Sequence, residues 1–112
     1  MHTQITWQDF EKIEMRVGTI IDAEVFNEVR KPALKVTINF GEFGTKKSSA
    51  QITKLYTPAQ LIGKQVIAVT NFPPKQIANM MSECLILGAI GPGNEITLLS
   101  TDLKVENGML IG

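Results

Sequence analysis

The residues with the clearest chemical potential lie in residues 71–88, which read NFPPKQIANMMSECLILG. Pro73 and Pro74 fix two φ angles and remove two backbone donors, so no regular ladder or helix interior can pass through them. The stiffened loop that they predict presents Lys75 and Gln76 between two apolar runs. A cation and hydrogen-bonding groups on a loop held by strands are typical of a binding site. The other polar candidates in this segment are Asn71, Ser82 and Glu83.

Groups suited to catalysis are sparse. The single histidine, His2, lies at the N-terminus, and no nucleophile stands in a recognisable motif with a base. No glycine-rich phosphate loop follows a strand, and no cysteine or histidine spacing fits a metal site. The single cysteine, Cys84, is flanked by apolar residues, so we expect a small core residue rather than a reactive thiol. We therefore predict a protein that is not an enzyme and uses no metal or cofactor.

The charges of this chain are unevenly distributed, although its net charge is zero. Residues 29–81 contain eight Lys and Arg against one Glu, whereas both flanks have an acidic excess. If the fold gathers these cations on one face, that face can bind an anionic partner. The alternative is an ordinary solvated, lysine-rich surface. Outside residues 71–88, the candidate RNA-binding residues are Arg30, Lys31, Lys35, Lys46, Lys47, Gln51 and Lys54.

The elements that must position these residues follow from periodicity and turn signals. A capping box at Thr6 opens a helix over residues 7–14, and Thr57–Pro58 opens a second helix that ends at Gly63. Alternating apolar and β-branched residues predict six strands, with a glycine-bounded turn between the second and third. These strands span residues 15–25, 33–40, 45–49, 64–70, 84–90 and 96–99.

This order of elements favours an all-β fold, a five-stranded Greek-key barrel of the OB type with short helices. An open β-sandwich is the alternative. The length gives room for one domain, residues 1–112. OB barrels bind oligonucleotides over strands two and three and the neighbouring loops, which is where many of the lysines fall. Because no leader pattern and no apolar run of membrane-spanning length is present, we expect a cytoplasmic protein.

Two stretches resemble the CsaA-type proteins, a group within the wider family of tRNA-binding domains of OB type. They are EMRVGTI at residues 14–20 and SSAQITKLYTPAQLIGKQVIAVTNFPPKQIANMMSECLILG at residues 48–88. The resemblance covers essentially the whole chain, and the wider family includes the C-terminal domain of methionyl-tRNA synthetases. It implies a homodimer that binds tRNA and, for the CsaA group, a chaperone role in protein export.

The same resemblance assigns the loop lysine of the family motif to Lys75 and its serine and glutamate to Ser82 and Glu83. This chain departs from the wider family at Ala78–Asn79, where Arg-Gly is expected, and at Cys84–Leu85, where Gly-Met is expected. The missing arginine removes a forked phosphate donor that a lysine does not replace.

Three functions are compatible with these residues. The first is binding of tRNA or another structured RNA by shape and backbone, since only Tyr56, Phe43 and Phe72 could stack bases in the basic region. A core position is the competing interpretation of Phe72. The second is a chaperone that binds unfolded polypeptide in an apolar groove, because methionine side chains adapt to many partners. That groove would contain Phe72, Met80 and Met81. The alternative for the methionines is that they fill the core or the dimer interface. The third is a structural dimer module that docks on another protein.

The apolar ends of the chain predict a homodimer. Leu110 and Ile111 would fray next to a C-terminus unless something covered them. Packing against a second copy would bury them and would place two basic faces side by side. The expected interface residues are Trp7, Phe10, Met109, Leu110 and Ile111. The alternative for Trp7 and Phe10 is packing on the body of their own chain.

Overall fold

The fold consists of short strands and two short α-helices in a computed structural model that describes residues 3–112. His2 lies outside the described residues. The helices are α1 (Trp7–Glu11) and α2 (Pro58–Leu61). The strands are β1 (Met15–Val25), β2 (Leu34–Asn39), β3 (Thr45–Ala50), β4 (Gln65–Val69), β5 (Lys75–Ile77), β6 (Met80–Ser82), β7 (Leu85–Ile86), β8 (Gly88–Ile90), β9 (Ile96–Leu98) and β10 (Leu110–Ile111).

The long strand β1 organises the main sheet, whose order is β3-β2-β1-β4-β7, with β10 also paired to β1. All of these pairings are antiparallel, and the register of β1 with β2 shifts between Ile20 and Asp22. Such a bulge bends a strand, so that the two halves of β1 can follow the curvature of a barrel. Gly18 permits a close approach at the bend, because a Cβ there would lie 2.5 Å from Ile38 Cγ2.

The barrel closes between β3 and residues 82–84, which we call the β3 seam. Among residues 3–112, one hydrogen bond between backbone groups crosses the seam, from Glu83 N to Lys47 O at 2.7 Å. Other bonds across the seam use side chains: Lys47 N donates to Glu83 Oε1 at 3.0 Å, Ser49 N to Ser82 Oγ at 3.2 Å, Ser48 Oγ to the Cys84 carbonyl at 2.9 Å, and Cys84 Sγ to the Lys47 carbonyl at 3.9 Å. The predicted all-β, OB-type barrel is therefore confirmed.

The core lies inside this barrel and comes from the inward-facing residues of the long strands. In β2, Leu34, Val36 and Ile38 are buried and alternate with half-buried polar residues, as the sequence predicts. Leu61 of α2 and Cys84 complete the core. Burial raises the pKa of the Cys84 thiol to about 12, so this cysteine is a core residue, as predicted.

Three predicted elements differ from the structure. Residues 75–82 form a hairpin of β5 and β6, with Ala78 at φ +50°, instead of an irregular loop. The strand predicted over 84–90 divides in two, because its first part, β7, pairs with β4 and its second part, β8, pairs with β9. Gly88 allows that change, since a Cβ there would meet Ile96 Cγ2 at 2.4 Å. Helix α1 ends at Glu11 and buries none of its residues.

Candidate nucleic-acid interface

Two connections meet beside strands β2 and β3. They are the loop of residues 26–33, between β1 and β2, and the β5–β6 hairpin. Buried Phe26, Ala33 and Met80 form a small apolar cluster that joins them. At the hairpin tip, Asn79 Nδ2 donates to Glu28 Oε2 at 3.3 Å. In OB barrels this strand face and these two loops carry the oligonucleotide site.

The position of Met80 corrects one sequence prediction. The peptide-groove interpretation requires both methionines at the surface, yet Met80 is only 9% exposed and anchors the hairpin to the other loop, which agrees with the alternative of a core position. Strand alternation explains the difference, because Met81, its neighbour in β6, points the opposite way and is 46% exposed. Met80 therefore cannot serve as an adaptable surface contact.

A groove of about 690 Å³ lies between the β3 seam and residues 72–77, and we call it the seam groove. Its apolar lining is exposed: Phe72 is 54% and Leu85 49% accessible. The core interpretation of Phe72 is thus wrong, because this residue follows the end of β4 and lies outside the barrel. The polar lining residues are Ser49, Lys75, Gln76 and Ser82.

Asn71 fixes the backbone immediately before Phe72. Its Oδ1 accepts a hydrogen bond from Glu14 N at 3.0 Å, and its Nδ2 donates to the Lys12 carbonyl at 2.7 Å. We call these two bonds the Asn71 clamp. On the other side of Phe72, two prolines restrict the backbone. The amide that we expected to bind RNA is therefore engaged within the chain, and it holds an exposed aromatic ring in place.

The other two aromatic candidates are engaged elsewhere. The Tyr56 hydroxyl accepts a hydrogen bond from Leu98 N at 3.0 Å, and its ring packs against the core. The guanidinium of Arg16 lies 3.7 Å from the centroid of the Phe43 ring. Phe72 is consequently the aromatic candidate whose ring remains available for stacking.

Four of the predicted cations are exposed around the seam groove and the loops. Lys47 points outward from β3, where it is paired in register with Thr37, and Lys75 is paired with Ser82 in the hairpin. Arg30 and Lys31 lie on loop 26–33. Within residues 3–112 none of the four forms an ion pair. We call Arg30, Lys31, Lys47 and Lys75 the exposed cations.

The remaining predicted cations have different surroundings. Lys35 Nζ lies 3.3 Å from Glu24 Oε1 and 3.9 Å from Glu28 Oε1, so acidic neighbours offset its charge. Lys46 is paired with Ile38 on the core-facing side of β3 and is half-buried. Lys54 donates to the Gly93 carbonyl in the turn between β8 and β9. Gln51 is exposed just beyond the end of β3.

Ser82 and Glu83 were singled out for binding, and both have bonds at the β3 seam. The Glu83 carboxylate accepts from the backbone of Lys47, and the Ser82 hydroxyl accepts from the backbone of Ser49. Ser49 and Leu85 are among the groove residues that were not predicted as binding residues. The alternation of β3 could have placed Ser49 on the same face as Lys47, whereas nothing in the sequence pattern separates exposed Leu85 from a buried strand residue.

A second exposed surface lies at the two ends of the chain. Trp7 is 66% and Leu110 57% exposed, and the Trp7 and Phe10 ring centroids are 5.5 Å apart. The packing alternative for Trp7 is therefore wrong. The C-terminal segment is well held, since β10 pairs with β1 and Arg16 Nη1 donates to the Gly108 carbonyl at 2.7 Å. Ile5, Trp7 and Phe10 line one shallow pocket together with Gly112, whereas Ile111 is half-buried. We use the name terminal patch for the apolar residues at the two chain ends, Ile5, Trp7, Phe10, Met109 and Leu110.

The rest of the described chain offers few other features with functional meaning. None of the helices in residues 3–112 has the length and apolar character needed to cross a membrane. The same residues contain no group of three or more His, Cys, Asp or Glu side chains placed to hold a metal ion.

Comparisons with known proteins point to one family. Residues 15–110 match the model of the putative tRNA binding domain. The methionine–tRNA ligases of Methanococcoides burtonii and Methanocella arvoryzae are 33% and 36% identical to this chain over 107 and 104 residues. Those alignments cover 96% and 93% of this chain but 16% and 15% of the ligases, so the chain spans about one sixth of their length.

Two solved structures resemble the whole chain. Chaperone CsaA from Bacillus anthracis superimposes with a TM-score of 0.94 at 44% identity, covering 98% of this chain and 100% of that one. The CsaA chaperone protein from Picrophilus torridus superimposes with a TM-score of 0.91 at 52% identity, covering 97% and 100%.

Proposed function

The chain belongs to the tRNA-binding domain family, and from that premise we propose that it is a non-catalytic homodimer that binds tRNA or another structured RNA. The observation that carries this proposal is the placement of the exposed cations. Arg30, Lys31, Lys47 and Lys75 border the strand face and the two loops that OB barrels use for oligonucleotides. Cations without acidic partners can release the counterions of phosphates, which supplies most of the affinity.

One row of residues supports a continuous binding face. Lys35 of β2 is paired with Ser49 of β3, Ser49 is bonded to Ser82 across the β3 seam, and Ser82 is paired with Lys75. Phosphates would lie against the exposed cations at both ends of the groove. Lys35 belongs to the same row, but Glu24 and Glu28 reduce its contribution.

The salt dependence of tRNA binding tests this proposal. We expect Lys47→Gln/Lys75→Gln to lower the affinity for bulk tRNA and to reduce the slope of log K against log salt by about 2, one for each phosphate contact removed. The matched control is Lys64→Gln/Lys104→Gln, which removes the same charge from two exposed lysines outside the groove. Lys35→Gln should have a smaller effect than Lys47→Gln because its charge is already paired.

Two results would contradict the proposal. One is an equal loss of tRNA affinity in the control and test variants, since the position of the cations would then not matter for binding. The other is an affinity for tRNA that does not depend on salt.

A second candidate function, polypeptide binding, has support from the apolar lining of the seam groove. Phe72, Ile77 and Leu85 offer exposed or half-buried apolar surface that an unfolded segment could cover. The two CsaA structures are described as chaperones. If this is the function, an unfolded client should bind with little salt dependence, and the uncharged change Leu85→Ser should weaken client binding more than tRNA binding.

A further inference from the structure

We infer that the seam groove is a subsite for one unpaired nucleotide of the bound RNA, whose base stacks on Phe72 and whose phosphate lies near Lys75. This inference rests on the proposed RNA-binding function and names the part of the RNA that the groove accepts. The groove volume of about 690 Å³ lies within the range of small-molecule sites, roughly 300–1,000 Å³.

The first support is the fixed exposure of Phe72. An aromatic ring that is 54% exposed on a flexible loop would lose conformational entropy on binding. Here the Asn71 clamp holds the preceding residue, and two prolines restrict the following ones. The ring is therefore presented at low entropic cost, as a stacking surface requires.

The second support is the set of polar groups with free hydrogen-bonding capacity in the groove. Ser49 Oγ forms no hydrogen bond within residues 3–112, and Gln76 uses only Nε2, which donates to the Ala78 carbonyl at 3.3 Å. The Ser82 hydroxyl accepts from Ser49 N and keeps its own hydrogen free. These groove residues thus offer both hydrogen-bond donors and hydrogen-bond acceptors. The edge of a nucleic-acid base also carries donors and acceptors, so the two can pair.

The third support is charge. Lys75 lines the groove, and Lys47 lies two positions from Ser49 on the same face of β3. Neither lysine has an ion pair within the described residues. A purely apolar polypeptide segment would gain nothing from these cations, whereas a nucleotide brings a phosphate next to its base. Charge complementarity thus favours the nucleotide.

RNA structure explains why the nucleotide must be unpaired. Bases inside an A-form helix are stacked and paired, so their faces are unavailable to a protein ring. Bulged or looped nucleotides can turn outward and stack on an aromatic side chain. The exposed cations would hold the helical backbone on either side while the groove takes one outward-turned base.

The test compares two RNA hairpins that differ only in a single bulged 2-aminopurine nucleotide. We expect the wild-type protein to prefer the bulged hairpin by about 5- to 150-fold, the range for one base stacked on an aromatic ring. Phe72→Leu should remove this preference and leave the affinity for the fully paired hairpin within about two-fold. Phe72→Tyr keeps a ring and should retain the preference. Binding should also quench the 2-aminopurine fluorescence in the wild type but not in Phe72→Leu.

Each other outcome overturns the inference. If the wild type binds both hairpins equally and Phe72→Leu changes nothing, the subsite is wrong while the RNA function stands. If neither hairpin nor tRNA binds, both proposals fall. If an unfolded polypeptide binds in a Phe72-dependent way and no bulge preference exists, the groove belongs to a polypeptide. Because Phe72 is exposed, Phe72→Leu should melt as the wild type does, which separates a binding defect from misfolding.

Discussion

Ser48→Ala is the change that most directly tests how the barrel is closed. Ser48 is 1% exposed, and its hydroxyl donates to the Cys84 carbonyl at 2.9 Å across the β3 seam. Within residues 3–112 it is the only donor to that carbonyl. Alanine removes the donor and leaves a buried carbonyl without a partner, which costs about 1–3 kcal/mol.

The size of this loss can be converted into a melting temperature. With an unfolding entropy of about 2.1 cal/mol/K per residue, a chain of 112 residues shifts by roughly 4 °C per kcal/mol. Ser48→Ala should therefore lower Tm by about 4–13 °C. Thermal melts followed by circular dichroism at one protein concentration measure this shift, since the proposed dimer would melt at a temperature that depends on concentration.

The control is Ser100→Ala, which removes a bond of the same kind. The Ser100 hydroxyl donates to the Gln65 carbonyl at 2.8 Å, but Ser100 is exposed, so water can replace it. We expect a loss below about 0.5 kcal/mol, which is usual for surface substitutions. If Ser48→Ala melts within the error of Ser100→Ala, the seam does not depend on this buried bond and the reasoning is refuted.

Two further predictions concern pH and assembly. Hydrogen bonds from Thr70 and, second, from Arg16 lower the pKa of the Glu14 carboxyl from its ordinary value of 4.5. The ionised carboxylate therefore stabilises the fold at pH values above 4.5, and this stabilisation is lost as the pH falls through the lowered pKa. The Tm difference between wild type and Glu14→Gln should shrink as pH falls from 7 towards 3, with Glu11→Gln on α1 as the control; a constant difference would contradict the assignment. For assembly, Trp7→Glu should give monomers by sedimentation velocity, because it places a charge in the terminal patch. The control is Ile90→Glu, which places the same charge at a residue that is 77% exposed and lies outside the patch, and this variant should remain dimeric. Deletion of residues 109–112 should also give monomers, and a dimer that survives both changes would exclude this interface.

The barrel was predictable because its signals are local. Alternation in β2 and the β-branched residues of β1 lie close together in the sequence and specify strands directly. Both helix starts carry local capping signals: Thr6 and Asp9 form a reciprocal capping box, and the Gln60 side chain accepts a hydrogen bond from Thr57 N. The hairpin of β5 and β6 was missed because its strands are three residues long and its tip, Ala78–Asn79, contains no glycine.

The candidate site was predictable only in part, because its contacts join distant parts of the sequence. Lys47 and Lys75 do lie near one groove, but the neutralising partners of Lys35 come from the pairing of β2 with β1 and from loop 26–33. Burial of Met80 requires the loop that contains Phe26. None of these contacts can be predicted from the local periodicity of the sequence.

The Asn71 clamp links the two exposed surfaces of the molecule through the backbone. Lys12 and Glu14, which it holds, connect directly to α1 of the terminal patch, and Phe72 of the seam groove follows Asn71 in the chain. One small amide therefore restrains both surfaces at once. If the proposed RNA and the proposed second subunit each tighten this restraint, thermodynamic reciprocity requires that each raises the affinity for the other by the same factor.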